Sequence, residues 1–314
     1  MSEERRQGQA QTDADRAIEA AIARVPPWQG REVSYLPLVG GLMNSNWRVT
    51  VAGDACRYFV KIPGPGSELF IDRKTANEAA TNAHAADLAP RIVFFDPSDG
   101  LEVHEFLEGY RACTNADFEV PAIQEAVIDR YRILNGGPKL GATKTIFDMI
   151  DEHVDQARSL GSLLPPDFDW LLARYRDARA ALEASGLDLG PCFNDPMPGN
   201  FLIMDGAPMK LVDFEFASNN ERAYELGVFL GEMFFPEDRS LELIELYYGN
   251  ARPATVARVW IARALADIKW GSWAIVNRQL SAWDFDYQKY GVWKYMRARS
   301  VFFDPRWEWW LRIV

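Results

Sequence analysis

Cysteine, histidine and positive charge are all scarce in this chain of 314 residues. The three cysteines, Cys56, Cys113 and Cys192, are odd in number and far apart. That argues against a disulfide framework and suits reduced thiols in a cytoplasmic protein. The three histidines are equally scattered, so no zinc-ligand spacing arises. Lys and Arg number 34 against 45 Asp and Glu, a net charge of −11. Nucleic acids and anionic membranes need clustered cations, so neither is an expected partner. An acidic chain is compatible with a small cationic substrate. No run of about 18 apolar residues exists, so no membrane insertion is expected. The stretch from Met1 to Ala10 lacks an apolar signal core. What remains, 48% apolar and 25% charged residues, is the composition of a soluble globular protein large enough for two lobes.

The chain is organised around Cys192 to Ile203, with Asn194-Asp195 and then Asn200, followed by Lys210-Leu211-Val212-Asp213-Phe214-Glu215. An Asp, an Asn five residues later and an Asp ending a short apolar strand form a phosphoryl-transfer layout. An acceptor hydroxyl needs a carboxylate to orient it and take its proton, and Asp195 is the candidate. Nucleotide phosphates need magnesium, which prefers hard oxygen donors, and Asn200 and Asp213 supply them. Phe201 to Met204 and Lys210 to Asp213 read as strands joined by a turn at Asp205-Gly206-Ala207-Pro208. Such a hairpin would bring Asn200 and Asp213 within reach of one ion.

Upstream, residues 1 to about 14 are polar and expected to be mobile. Ala17 to Val25 has helical spacing and stops at Pro26-Pro27. Tyr35 to Val51 reads as strand, turn and strand. Its turn holds Gly40-Gly41 and Asn44-Ser45-Asn46, where backbone amides can approach phosphates closely. A third strand, Arg57 to Ile62, ends with Lys61, a charge that is costly to bury without a partner such as a nucleotide phosphate. Asp72 caps a helix running to Asp87, in which Glu78 is the internal acid available to Lys61, with Glu68 and Asp72 nearby. Arg91 to Phe95 and Leu101 to Phe106 are strands joined by the turn Asp96 to Gly100. These pieces make a five-stranded antiparallel lobe with one helix. From about residue 121 the pattern is mostly helical. The expectation is an α+β, two-lobed protein-kinase-like fold. Its parts are a mobile terminus (1–14), a nucleotide-binding lobe (15–107) and a catalytic, substrate-binding lobe (108–314).

From Leu38 to Arg299 the residues resemble the choline/ethanolamine kinase family, within the aminoglycoside-phosphotransferase-like kinases. The stretches that carry the resemblance are Ile62-Pro63-Gly64 with Phe70-Ile71-Asp72-Arg73, and Asn194-Asp195 with Asn200. Val212 to Ala217 and Asn220 to Gly227 extend it. The most diagnostic is Trp270-Gly271-Ser272-Trp273 followed by Tyr287 and Tyr290. The resemblance implies an ATP- and Mg2+-dependent kinase of a small amino alcohol, choline or ethanolamine, in phospholipid precursor metabolism. It places Asp195 and Glu215 near the acceptor and Lys61 with Asn44, Ser45 and Asn46 on the nucleotide. A quaternary ammonium donates no N–H hydrogen bond, so ring faces and a nearby acid suit it best. Trp270, Trp273, Tyr287 and Tyr290, with Glu232, are the candidates.

Three departures stand out. Phe193 replaces a His of the catalytic loop, Glu225 replaces an Asp, and Val228 replaces an Asn that often follows the Gly. The family's helix acid falls near Ala76, which leaves Glu78. An active kinase with altered acceptor choice is the favoured reading. The rivals are a kinase of another small alcohol or an aminoglycoside, and a pseudokinase that binds a cation without phosphoryl transfer. A homodimer is compatible with all three.

Overall fold

The computed structural model describes residues 4–38, 44–64, 69–281 and 284–314. Gly40-Gly41 and Glu68 lie outside the described residues. The chain divides into two compact units. One comprises residues 1–112 and 202–215, the other 113–201 and 216–314.

The first unit opens with strand β1 (Arg5–Arg6) and helix α1 (Asp13–Ile22). Strands β2 (Val33–Leu38), β3 (Asn44–Val51) and β4 (Tyr58–Pro63), helix α2 (Arg73–Ala85), and strands β5 (Ile92–Phe95) and β6 (Glu102–Glu105) follow. The sheet is antiparallel, in the order β1-β2-β3-β4-β6-β5. It therefore has six strands rather than five. The extra one comes from the segment expected to be mobile, where Arg5 and Arg6 pair with Tyr35 and Ser34. Arg5 also ion-pairs with Asp15, a buried acid that accepts from the amides of Gln11 and Thr12 and so ties the terminus to α1. Alternating apolar residues of the strands, such as Tyr35, Trp47, Val49, Val60 and Val103, pack against Ile18 and Trp28. Asp72 caps α2 through the amides of Lys74 and Thr75. The short strand β7 (Arg111–Ala112) joins β9 (Phe201–Ile203) and β10 (Lys210–Leu211) in a three-stranded sheet.

The second unit is helical, with a two-stranded sheet of β8 (Leu189–Cys192) and β11 (Ser218–Glu221). Its helices are α3 (Pro121–Asn135), α4 (Ile146–Ser159), α5 (Phe168–Ser185), α6 (Arg222–Glu232) and α7 (Glu237–Tyr248). Helices α8 (Pro253–Leu280), α9 (Tyr287–Phe302) and α10 (Trp307–Ile313) complete it. The 28-residue α8 is the axis, packed by α9, α6 and α4. It is buried on most sides, so its sequence shows little amphipathic periodicity. The Trp-rich end packs here too. Trp310 stacks on Trp260 and Trp307 meets Phe302 edge-on.

Two glycines set the helix spacing. A Cβ on Gly227 of α6 would lie 2.8 Å from the Arg263 backbone nitrogen and 3.0 Å from the Val259 carbonyl. A Cβ on Gly271 of α8 would strike the Tyr295 ring at 2.9 Å. Alanine normally gains about 1 kcal/mol over glycine inside a helix. At Gly227 the obstacle is backbone, which cannot swing aside, so overpacking outweighs propensity. Gly227→Ala is expected to lower stability by about 1–3 kcal/mol, read as a fall in the denaturant midpoint. A midpoint at or above wild type would mean that α6 is free to move off α8.

Candidate active site

The first unit buries a lysine among acids. Lys61, on β4, is 6% exposed, and its Nζ lies 3.1 Å from Glu215, 3.2 Å from Asp213 and 3.3 Å from Glu102. Glu102 is its direct cross-strand partner on β6 and also meets His104 at 3.1 Å. Burial alone would strip the proton from Lys61, but Asp213, Glu215 and Glu102 outweigh it and hold the ammonium well above its usual range. Glu102 is buried as well, yet His104 and Lys61 keep its carboxyl far below normal. Glu215 goes the other way. Burial and the Asp213 charge raise it, against the pull of Lys61 and Asn44. Asn44 donates from Nδ2 to Glu215 at 2.9 Å, and Asn46 faces Lys61 in the strand register. Ser45 is exposed opposite Ile62. Lys61, Glu102 and Glu215 line a recess with Arg73 and Asn77 of α2. Glu78 is half-buried on that helix, whereas the carboxylates ion-paired with Lys61 are Glu102, Asp213 and Glu215. Asp213 has a left-handed backbone, φ +68°, and a side chain 34% exposed.

The second unit holds Asp195 on the loop after β8. Asp195 is 8% exposed, and Asn200 Nδ2 donates to its carbonyl at 3.1 Å and its Oδ2 at 3.2 Å. The loop is strapped from below. Glu225, fully buried on α6, accepts from the amides of Phe193 at 2.5 Å and Asn194 at 2.9 Å, and from Asn135 at 3.3 Å. The longer acid thus spans the gap. Phe193 is buried and packs on Phe201, filling apolar space beneath the loop. Asn194, at φ +66°, donates to the Phe216 carbonyl and Ser218, and accepts from Asn220. Burial pushes the Glu225 carboxyl up to about 7, even though the Asn194 and Phe193 amides favour its charged form.

Beside this loop the aromatics expected from the sequence do meet. Trp270 and Trp273 are 5.5 Å apart, and Trp273 lies 5.7 Å from Tyr287 and 6.1 Å from Tyr290, centroid to centroid. Glu232 is not a free anion. Lys294 ion-pairs with it, and Arg297 joins it at 2.9 Å while also holding Asp267. Sequence reasoning missed Glu102, Lys269, Lys294, Arg297 and the buried Asn219. The detectable signal was charge within buried helices, at Asp267 and Lys269 of α8.

Among the described residues no group of three or more His, Cys, Asp or Glu side chains is arranged to hold a metal by itself. Magnesium rarely needs one, because it takes one or two protein oxygens and completes its shell with phosphates and water. The donors here fit. Within the first unit one ammonium, Lys61, faces three carboxylates, a surplus of negative charge that a hard cation would offset.

A β-rich unit with a buried lysine and a helical unit with a strapped aspartate loop define a protein-kinase-like phosphotransferase. Residues 36–245 match the family described as choline/ethanolamine kinase. The chain belongs to that family. It is 22% identical to "Probable choline kinase 2" of Arabidopsis thaliana, covering 87% of each chain. It is 26% identical to ethanolamine kinase 1 of Mus musculus, covering 85% of this chain and 83% of that one. The fold superposes on the crystal structure of a choline/ethanolamine kinase family protein from Mesorhizobium loti with a TM-score of 0.80. That match has 27% identity and covers 96% of this chain and 98% of the other. No helix among the described residues is long and apolar enough to cross a membrane.

Proposed function

We propose that the chain transfers the terminal phosphoryl group of ATP to the hydroxyl of a small amino alcohol. The observation that carries this reading is Asp195, buried on a loop strapped by Glu225, with Asn200 bonded to its side chain. Asp195 accepts the hydrogen bond of the acceptor hydroxyl, aims its oxygen and takes its proton as the bond to phosphorus forms. Lys61 holds nucleotide phosphates, with Asn44, Ser45 and Asn46 in the adjoining strand start and Glu78 on α2 around the nucleotide. Asp213 offers a carboxylate oxygen and Asn200 an amide oxygen, the hard donors that Mg2+ takes. When bound, that ion neutralises charge on the phosphate oxygens. Glu215, between Lys61 and Asn44, keeps the lysine charged and aligned. Trp270, Trp273, Tyr287, Tyr290 and Glu232 border the end of the acceptor away from its hydroxyl. The enzyme acts in the cytoplasm on a soluble precursor.

Thermal shift with ATP and magnesium tests the nucleotide half. Wild type is expected to gain several degrees at saturating nucleotide. Lys61→Met should lose most of that gain. It should also lower the apo melting temperature, because Glu102, Asp213 and Glu215 are left without their cation. An undiminished nucleotide shift in the variant would remove Lys61 from the phosphate site.

A further inference from the structure

Lys269 is the oddest side chain in the helical unit. It is fully buried on α8, and its Nζ has no hydrogen-bond partner among the described residues. The nitrogen rests 2.9 Å from the centroid of Trp270 and 4.3 Å from that of Phe216. Burial drives this amine well below its usual range, with Lys144 and Lys294 adding to the effect and Asp195 opposing it. A ring face on which a quaternary ammonium would stack is thus already covered by the chain's own nitrogen.

The other elements of such a cage are taken as well. Lys294 Nζ stands 4.7 Å over Tyr290, and both Lys294 and Arg297 hold Glu232. Lys294 and Arg297 are balanced by Glu232 and Asp267, whereas the Lys269 amine has no hydrogen-bonded counter-charge among the described residues. A second orphan sits in the same cluster. The indole nitrogen of Trp273, a residue 4% exposed, has no hydrogen-bond partner among the described residues. An indole N–H only donates, and an unsatisfied buried donor costs about 1–3 kcal/mol. A trimethylammonium accepts no hydrogen bond and would leave both nitrogens unsatisfied. A carboxylate has two oxygens that accept from an amine and from an indole N–H, and Lys269 and Trp273 are neighbours at i and i+4 on α8. Its charge would restore the proton of Lys269.

Resting on the phosphoryl-transfer reading, we propose that Lys269 is a specificity-determining residue that closes the Trp270 face to quaternary ammonium groups. It selects a hydroxy-amino acid, an acceptor whose carboxylate pairs with the Lys269 amine and the Trp273 indole. The hydroxyl of that acceptor attacks the terminal phosphorus of ATP, its proton passes to Asp195, and ADP leaves with the electron pair of the broken P–O bond. The class is set by two unpaired donors one helical turn apart on α8, in the same unit as the aspartate loop.

The test compares ethanolamine with serine, which differ by one carboxylate, and with choline, in the full-length protein with ATP and magnesium. Serine is expected to be used with a kcat/KM on the order of 100-fold above ethanolamine, and choline least of all. Lys269→Met should raise the KM for serine far more than it lowers kcat, collapse the serine-to-ethanolamine ratio and improve choline. Lys269→Arg should keep the order of preference. Wild type preferring ethanolamine or choline to serine would overturn the proposal, as would an unchanged ratio in Lys269→Met. Should that variant not fold, the wild-type ratio alone decides. Nucleotide binding without turnover of any of the three overturns this inference and leaves the nucleotide site standing. No nucleotide binding at all overturns the proposed function itself.

Discussion

Asp195→Asn is expected to cut turnover about a thousandfold while nucleotide binding stays near the wild-type level. The exchange is nearly isosteric, so the buried loop keeps its shape. The Glu225 strap acts on the Phe193 and Asn194 amides, not on the aspartate side chain. The Asn200 bond to the residue 195 carbonyl also survives, because it is made to backbone. What disappears is the negative charge that, in the proposed reaction, orients the acceptor hydroxyl and receives its proton. The loss should therefore fall on kcat, with a thermal shift by ATP and magnesium close to wild type. A drop confined to KM would recast Asp195 as a binding group.

The second large effect concerns pH and Glu225. Its carboxyl is held at about 7 in the folded protein, against an ordinary value of 4.5. The folded value is raised, so the neutral form is the one the fold favours. Stability from this group is fully present below about pH 4.5 and is lost as the pH climbs through 7. Across that window the cost is about 3 kcal/mol, since each tenfold change in proton affinity is worth roughly 1.4 kcal/mol. Activity should run the opposite way. Only the carboxylate offers acceptors to the Phe193 and Asn194 amides together, whereas a proton on Oε2 faces the Phe193 N–H. Turnover is expected to rise roughly tenfold through a single ionisation near pH 7, while the melting temperature declines. Glu225→Gln should remove both trends, with low turnover throughout, because its amide opposes a backbone donor with another donor. Parallel pH profiles of kcat and melting temperature decide the matter. A wild-type step that persists in Glu225→Gln would assign the ionisation elsewhere.

Much of the fold was legible because local rules settle it. The Asp72 cap, the turn from Asp96 to Gly100 and the helices α3 to α8 each follow from neighbouring residues, whereas α9 and α10 were not read from the sequence. Strand β1 was not, since a two-residue strand carries no periodicity and is made by its pairing with β2. The partner of Lys61 was sought on the following helix. Glu102 reaches it because β6, not β5, lies beside β4, a non-sequential adjacency that no pattern in the chain displays. The segment Ser218-Asn219-Asn220-Glu221 is polar at every position and was not read as a strand. It is a strand buried along its whole length, where Asn219 and Asn220 satisfy the backbone of Leu140, Ala142 and Ile146. Polar residues that exist to satisfy distant backbone look like solvent-facing ones until the contacts are formed. The spacing of Trp270 with Trp273 and of Tyr287 with Tyr290 was legible, but that the two pairs meet is seen only in the fold. The cations among them were not legible, because Lys269, Lys294 and Arg297 act through partners on other helices or loops.

The most direct measurement follows ADP and phosphorylated acceptor together, by coupled assay and phosphorus NMR, with amino alcohols and hydroxy-amino acids supplied in turn. The account predicts one phosphomonoester formed per ADP on at least one acceptor, dependent on magnesium and abolished in Asp195→Asn. ADP release that is indifferent to every acceptor and unchanged in Asp195→Asn would contradict it.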